Sequence, residues 1–206
     1  MGIIPKQSSC RLSPHVRQFS NDMVRGLGML PRKKSSCSDA IPRTLFVRRV
    51  HYVVHPRHDG KVVRRLENED AIWEALSAQA GGGESGVKVV NGIFSSLSMS
   101  KQVALAQDAC VIVGAHGAGL THILFAPPEV HLLEIQTPGF GRPHFFGYTL
   151  WAGSHHHLWS IPTSTPDVHQ VVSRVFETAQ HGSMEGKEDS HSHSGGGAAD
   201  HPGHNE

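Results

Sequence analysis

The chain has 206 residues, with 19 Lys and Arg against 18 Asp and Glu, and its net charge of +1 excludes attraction of nucleic acid or an anionic membrane by bulk charge. Its 38% hydrophobic content can fill one core of roughly 120 to 150 residues. No run of about 18 apolar residues is present, and the first thirty residues lack the apolar stretch of a signal peptide, so we expect no membrane anchor or leader in the chain as given.

The cysteine and histidine counts raise the question of metal binding. The chain has three cysteines, Cys10, Cys37 and Cys110. Their odd number does not fit a disulfide framework, and the lack of a CxxC pair does not fit a metal knuckle, so neither is predicted. Residues 155–157 are consecutive histidines, which on a strand point to alternate faces, so we expect no metal site there and no effect of a His156 substitution on ligand binding. Without an HExxH motif, the sequence predicts no metal and no required cofactor.

The chain divides into three parts. Residues 1–40 are predicted to be a basic segment with one short helix, because Ser13 and Pro14 are typical of a helix start and apolar residues follow at helical spacing. Residues 41–180 are predicted to be the folded domain. Residues 181–206 are rich in Gly, Ser and His and have almost no large apolar side chains, so they are predicted to be a disordered tail, with weak zinc or nickel binding as the alternative.

Within the domain, β-branched and aromatic runs alternate with helical patterns. The predicted strands are residues 44–54, 87–90, 110–113, 130–135 and 157–161. Helices are predicted after Asn68, at 99–109, after the glycine-rich turn at 114–119 and after Thr165, with a loop at 136–156. This alternation indicates an α/β fold of the Rossmann-like type, a parallel sheet with helices on both faces.

A glycine-rich turn follows the most apolar predicted strand, in the order GAHGAG from Gly114 to Gly119. Gly117 and Gly119 allow backbone amides to approach a ligand, and the following helix start favours an anion such as a diphosphate. His116 could donate to a phosphate or a sugar hydroxyl, or carry charge if the phosphate raises its pKa. The alternative, a tight turn with no ligand, stays open.

Three familiar glycine motifs are excluded. The GxGxxG fingerprint lacks its third glycine, since Leu120 and Thr121 follow Gly119. A P-loop lacks its Gly-Lys-Ser/Thr. The oxyanion motif of lipase-like hydrolases requires a GxSxG nucleophile elbow, which the chain does not contain.

The stretch GAHGAGLTHILFAPPEVHLLEI resembles the signature of glycosyltransferase family 61, which includes O-linked N-acetylglucosamine transferases and plant β-1,2-xylosyltransferases. Upstream, Arg57, Arg65, Asn68 and Asp70 are similar to a degenerate family element of an Arg-containing strand end, Arg, Asn and an acidic residue. The resemblance covers about residues 12–162.

The resemblance implies the C-terminal half of a GT-B fold, which holds a nucleotide sugar. The implied reaction is inverting transfer from a UDP-linked donor, UDP-GlcNAc or UDP-xylose, to a hydroxyl of a glycoprotein or glycan, in the Golgi or endoplasmic reticulum lumen. No nucleic acid partner is implied, and a membrane would be reached only through an anchor that this chain lacks. We expect the catalytic base in a missing N-terminal domain, so the chain would be a fragment or a truncated gene model.

The donor-binding residues implied by the resemblance and by the turn share the carboxyl edge of the predicted sheet: Arg57, Arg65, Asn68, His116, Gly117, Ala118, Gly119, Leu120, Thr121 and Glu134. Arginine suits the diphosphate because its planar guanidinium can contact two oxygens. Glu134, at a strand end, could accept from a ribose or sugar hydroxyl. Simpler roles remain open: a solvated Arg65, Asn68 as a helix N-cap and a surface salt bridge for Glu134.

Two other functions stay open at this point. One is a non-catalytic nucleotide- or glycan-binding remnant of the family, which would bind a donor without turnover. The other is a metal-binding protein built on the histidine-rich tail, residues 181–206.

Overall fold

The computed structural model describes residues 11–33, 37, 41–49, 64–81, 86–139 and 141–191, the last ten of them by their backbone alone. Its centre is a five-stranded sheet of β1 (Arg43–Val47), β2 (Lys88–Gly92), β3 (Val111–Ala115), β4 (His131–Gln136) and β5 (His155–Ser160). The strand order is β2-β1-β3-β4-β5, and all four pairings are parallel. This topology confirms the predicted Rossmann-like α/β fold.

Helices cover both faces of the sheet. The α-helices in the described part of the chain are α1 (Pro14–Gly26), α2 (Glu69–Gly81), α3 (Met99–Asp108), α4 (His144–Ala152) and α5 (Val168–His191). A 3₁₀ helix, Ala118–Phe125, follows β3. None of these helices combines the length and the apolar composition that a membrane span requires.

Two hydrophobic clusters lie on opposite sides of the sheet because successive strand residues point to opposite faces. Ile112 and Leu132 pack with α3, α4 and the 3₁₀ helix, while Val113 and Leu133 pack with α2 and α5. All four are fully buried. Burial on both faces explains why β3 and β4 are continuous apolar runs instead of alternating patterns.

Several helices begin where the sequence predicts. Ser13, Ser98 and Asp167 each accept a hydrogen bond from a backbone amide in the first turn of the helix that follows. These bonds satisfy amides that have no partner within the helix.

Strand β1 is shorter than the predicted 44–54. It ends at Val47, and the amide of Arg49 donates at 2.9 Å to Oε2 of Glu69, in the first turn of α2, instead of to a neighbouring strand. The Glu69 side chain thus accepts the hydrogen bond that the Arg49 amide would donate to a neighbouring strand if β1 were longer. The strand ends here although strand-forming residues continue in the sequence. Residues 50–63, including the predicted site residue Arg57, lie outside the described residues.

Helix α4 replaces the predicted loop at 136–156. Its sequence contains a glycine and adjacent aromatics, and no side chain caps its start. Phe145 and Thr149 are buried, and the helix ends at Gly153 in the left-handed conformation, with φ of 73°. Tertiary packing stabilises this helix more than intrinsic propensity does, which is why the sequence pattern missed it.

Cys37 and Cys110 form a disulfide, which the sequence analysis did not predict. Their Cα atoms lie 4.6 Å apart although the residues are separated by 73 positions. The bond attaches the segment before β1 to the residue that precedes β3. Pairing depends on proximity in the fold, which neither the spacing nor the odd count of cysteines reveals.

Helix α5 continues to His191, past residue 181, where the sequence predicted the tail to begin. Once a packed helix exists, each added turn needs no new nucleation, so a helix can extend beyond its buried part. The predicted tail beyond 191 lies outside the described residues.

Candidate functional site

The carboxyl ends of β1, β3 and β4 meet where the strand order reverses, because β1 lies between β2 and β3. Such a reversal leaves a crevice outside the carboxyl ends of the strands, where ligands bind in open α/β sheets. Arg49 follows β1, His116 follows β3 and Glu134 lies near the end of β4. The fold therefore brings the predicted glycine turn and Glu134 to one edge.

A buried carboxylate joins two histidines at this edge. Nδ1 of His116 is hydrogen-bonded to Oε1 of Glu134, and Nε2 of His156 lies 2.7 Å from Oε2 of Glu134. Gln136 donates to Oε1 at 3.1 Å. Glu134 is 0% exposed and His116 4%. Both oxygens of Glu134 therefore accept from protein donors, and the predicted surface salt bridge does not describe this residue.

The electrostatics of the pair follow from burial and these bonds. Burial raises the pKa of Glu134, but hydrogen bonds from His156, His116 and Gln136 outweigh it, so its pKa lies below the ordinary value. Burial lowers the pKa of His116 more than the carboxylate raises it, and the positive charge of Arg64 lowers it further. Near neutral pH the pair is an ionised Glu134 and a neutral His116.

The glycine turn presents backbone amides at the end of β3. Within the described residues, the amides of Gly117, Ala118 and Gly119 donate no hydrogen bond. The next amide, of Leu120, donates at 2.9 Å to the carbonyl of Gly117 and begins the 3₁₀ helix. Consecutive amides at a helix start carry partial positive charge and favour an anion.

A side chain on two of these glycines would approach a neighbouring group closely. A Cβ on Gly117 would lie 2.9 Å from Cζ of Arg49, and one on Gly119 would lie 2.7 Å from Cγ1 of Val47. The first contact places a guanidinium directly against the turn.

Arg49 is a residue of this cluster that the sequence analysis missed. Its Nη1 donates at 3.1 Å to the carbonyl of His116 and at 3.3 Å to that of Arg64. The sequence contained a signal for it, because Arg48 and Arg49 follow directly after the apolar residues of β1. The prediction of a strand over 44–54 placed both arginines inside the strand, so neither was considered as a residue of its carboxyl end.

Two predicted residues, Asn68 and Arg65, have no described contact with the glycine turn or with the pair of Glu134 and His116. Asn68 donates at 2.7 Å to the carbonyl of Pro166, which joins the start of α2 to the loop before α5. Arg65 lowers the pKa of Glu69 by its charge, although burial raises that pKa overall. The side chain of Leu120 is fully buried in the core, and the hydroxyl of Thr121 donates at 2.6 Å to the carbonyl of Ala118, so both residues support the turn, and their contacts with a ligand stay predictions.

The histidine run on β5 splits between the two faces, as predicted. His155 contacts Glu129, and His157 lies 2.9 Å from the Nδ1 of His131, both on the α5 side of the sheet. His156 points to the α4 side, where it contacts Glu134, a predicted site residue with which the sequence analysis did not connect it. In the described part of the chain, no group of three or more His, Cys, Asp or Glu side chains could hold a metal ion.

Comparison with known proteins agrees with the resemblance. The sequence model of Glycosyltransferase 61 matches residues 7–133. The β-1,2-xylosyltransferase of Arabidopsis thaliana is 40% identical over 152 residues, which cover 71% of this chain and 28% of that protein. β-1,2-Xylosyltransferase RCN11 of Oryza sativa subsp. japonica is 40% identical over 131 residues, with coverages of 64% and 25%.

A more distant relative is the EGF domain-specific O-linked N-acetylglucosamine transferase of Xenopus laevis, 27% identical over 131 residues, with coverages of 64% of this chain and 22% of that protein. The chain thus spans about a quarter of the length of these curated relatives.

Proposed function

The chain belongs to glycosyltransferase family 61, and from this premise we propose that its carboxyl-edge site holds the nucleoside diphosphate of a sugar donor during glycosyl transfer. The proposed donor is a UDP-linked sugar and the proposed acceptor a hydroxyl of a glycoprotein or glycan. Xylose is favoured over N-acetylglucosamine because the two β-1,2-xylosyltransferases are 40% identical to this chain, against 27% for the N-acetylglucosamine transferase.

The observation that carries the proposal is the glycine turn and what packs against it. The amides of Gly117, Ala118 and Gly119 lie at the end of a buried strand, with the guanidinium of Arg49 beside Gly117. A departing diphosphate gains negative charge, and amides and guanidinium groups held in place stabilise that charge without reorganising. The site needs no metal ion for this role.

The arginines and the buried pair have separate roles in this proposal. Arg49 supports the turn and supplies positive charge to the diphosphate, and Arg57 and Arg65 remain proposed phosphate donors. Glu134 is enclosed and holds His116, so we assign it orientation of the imidazole instead of direct contact with a ribose. The base that removes the acceptor proton is proposed to lie in another part of the enzyme, as one half of a GT-B fold would require.

The proposed compartment is the oxidising lumen of the Golgi or endoplasmic reticulum. The Cys37–Cys110 disulfide supports this location because such bonds persist in oxidising compartments and are rare in the cytosol.

Titration calorimetry with UDP tests the site. We expect weak binding that weakens further as salt is added, and a loss of about tenfold to hundredfold in Arg49→Ala, since one charge-assisted contact is removed. Arg174→Ala is the matched control, because Arg174 is an exposed α5 arginine that pairs with Glu177. Equal affinities in the two variants would refute the assignment of Arg49.

A transfer assay with UDP-xylose and UDP-GlcNAc separates the proposed enzyme from a binding unit. Turnover with either donor supports transfer and identifies the sugar. UDP binding without turnover, in a preparation that contains the whole polypeptide, would favour the non-catalytic alternative.

A further inference from the structure

We propose that His156 is a positioning residue of this site, which acts through Glu134 to fix the ring nitrogen of His116 that carries the proton. The inference rests on the proposed function for its consequence in ligand binding, but its geometry is independent of that function. Nothing in the sequence motif of the turn points to His156, which lies 40 positions beyond His116.

The sheet register brings the three side chains together. Leu132 of β4 pairs with His156 of β5, so His156 is the diagonal neighbour of Glu134 on the same face. Its Nε2 lies 2.7 Å from Oε2 of Glu134, and its side chain is only 10% exposed. Phe146 of α4 contacts its ring, with centroids 6.3 Å apart. The imidazole is therefore held in place and shielded.

The direction of each hydrogen bond follows from the charge of Glu134. An ionised carboxylate only accepts, so Nε2 of His156 and Nδ1 of His116 both carry hydrogen. Neutral His116 is then the Nδ1–H tautomer, and its lone pair lies on Nε2. The hydrogen bond from His156 is also the first of the interactions that lower the pKa of Glu134 against the effect of burial.

Loss of the His156 donor would leave Oε2 buried without its hydrogen bond. A buried carboxylate in that state takes up a proton from solvent more readily. The protonated Glu134 can then donate from Oε1 to Nδ1 of His116, whose own proton is released while Nε2 gains one. His116 becomes the Nε2–H tautomer, and its Nε2 changes from a hydrogen-bond acceptor to a donor.

Two substitutions of His156 test whether a hydrogen-bond donor is needed at the position of Nε2, or whether any polar side chain is sufficient. His156→Gln places an amide nitrogen near the position of Nε2, whereas His156→Asn is shorter and places it near Nδ1. His155→Gln is the matched control, because His155 is the preceding residue on β5 but points to the opposite face and contacts Glu129.

The primary measurement is the imidazole ¹⁵N shifts of His116 near neutral pH, which distinguish the two tautomers. We expect the Nδ1–H tautomer in the wild type, His156→Gln and His155→Gln, and a shift toward Nε2–H in His156→Asn. An unchanged tautomer in folded His156→Asn would overturn the proposal. If His156→Asn does not fold, loss of the Nδ1–H tautomer in His156→Gln, despite its amide donor, would overturn it.

UDP titration supplies the second readout. In the wild type the lone pair on Nε2 of His116 can accept from a hydroxyl of the ligand, and loss of this bond is expected to weaken binding about tenfold in His156→Asn, with rescue in His156→Gln. Affinity that falls equally in both variants would refute the positioning role. If the wild type binds no UDP, the proposed function fails, and the tautomer measurement still decides the role of His156.

Discussion

The buried His131 on β4 predicts how the free energy of unfolding changes with pH, and this dependence tests the fold. The Nδ1 of His131 lies 2.9 Å from Nε2 of His157, and its ring stacks on His155 with centroids 4.5 Å apart. The pKa of His131 is lowered to about 3, mainly by burial and then by the charges of His155 and His157, with Glu129 opposing and His181 adding a smaller decrease. The ring is therefore neutral in the folded protein at any pH near neutrality.

The sign of the effect follows from the difference between folded and unfolded states. The unfolded histidine takes up a proton below its ordinary pKa of 6.5, but the folded one does not until the pH reaches about 3. The stability associated with neutral His131 is thus fully present above about pH 6.5 and is lost as the pH falls toward 3. The loss is about 1.4 kcal/mol at about pH 5.5 and about 2.7 kcal/mol at about pH 4.5.

The assay is urea unfolding followed by circular dichroism at several pH values between about 7.5 and 4.5. His131→Asn removes the titrating ring, so unfolding of this variant should take up nearly one proton fewer than unfolding of the wild type below about pH 5.5. Its free energy of unfolding should therefore change less steeply with pH, whatever its absolute value. His169→Asn, at an exposed position on α5, is the control and should retain the wild-type slope. Equal slopes in His131→Asn and the wild type would refute the reasoning.

Four further predictions concern the disulfide and the glycines. Cys37→Ser, which opens a loop of 73 positions, is expected to lower the free energy of unfolding by roughly 4 kcal/mol, and mass spectrometry of the alkylated wild type should show Cys37 protected until reduction. Gly114→Ala places a Cβ 2.6 Å from the carbonyl of Val47 and is expected to destabilise by roughly 1 to 3 kcal/mol, whereas Gly147→Ala, with open space in α4, should stabilise by roughly 0.5 to 1 kcal/mol in the same urea titration. Gly117→Ala meets only the flexible guanidinium of Arg49, so calorimetry should show about tenfold weaker UDP binding while the unfolding midpoint barely moves; a large fall in stability would contradict this view of the turn.

Local sequence features determined much of this protein. The apolar runs of β3 and β4, the helix starts at Ser13 and Asp167, and the glycine turn all depend on interactions within a few residues, so their pattern can be recognised in the chain alone. The strand and helix alternation also predicts a parallel sheet, because parallel neighbours need a crossover between them. The family resemblance followed from the residues of the same turn.

Tertiary structure alone decided which distant residues meet. The strand order places Arg49 beside the carbonyl of His116, and the register of β4 and β5 places His156 against Glu134. Cys37 and Cys110 pair across 73 positions, and α4 forms because its aromatic side is buried on the sheet. These contacts join segments far apart in the chain, and their free energy comes from packing and burial that no local pattern of residues encodes.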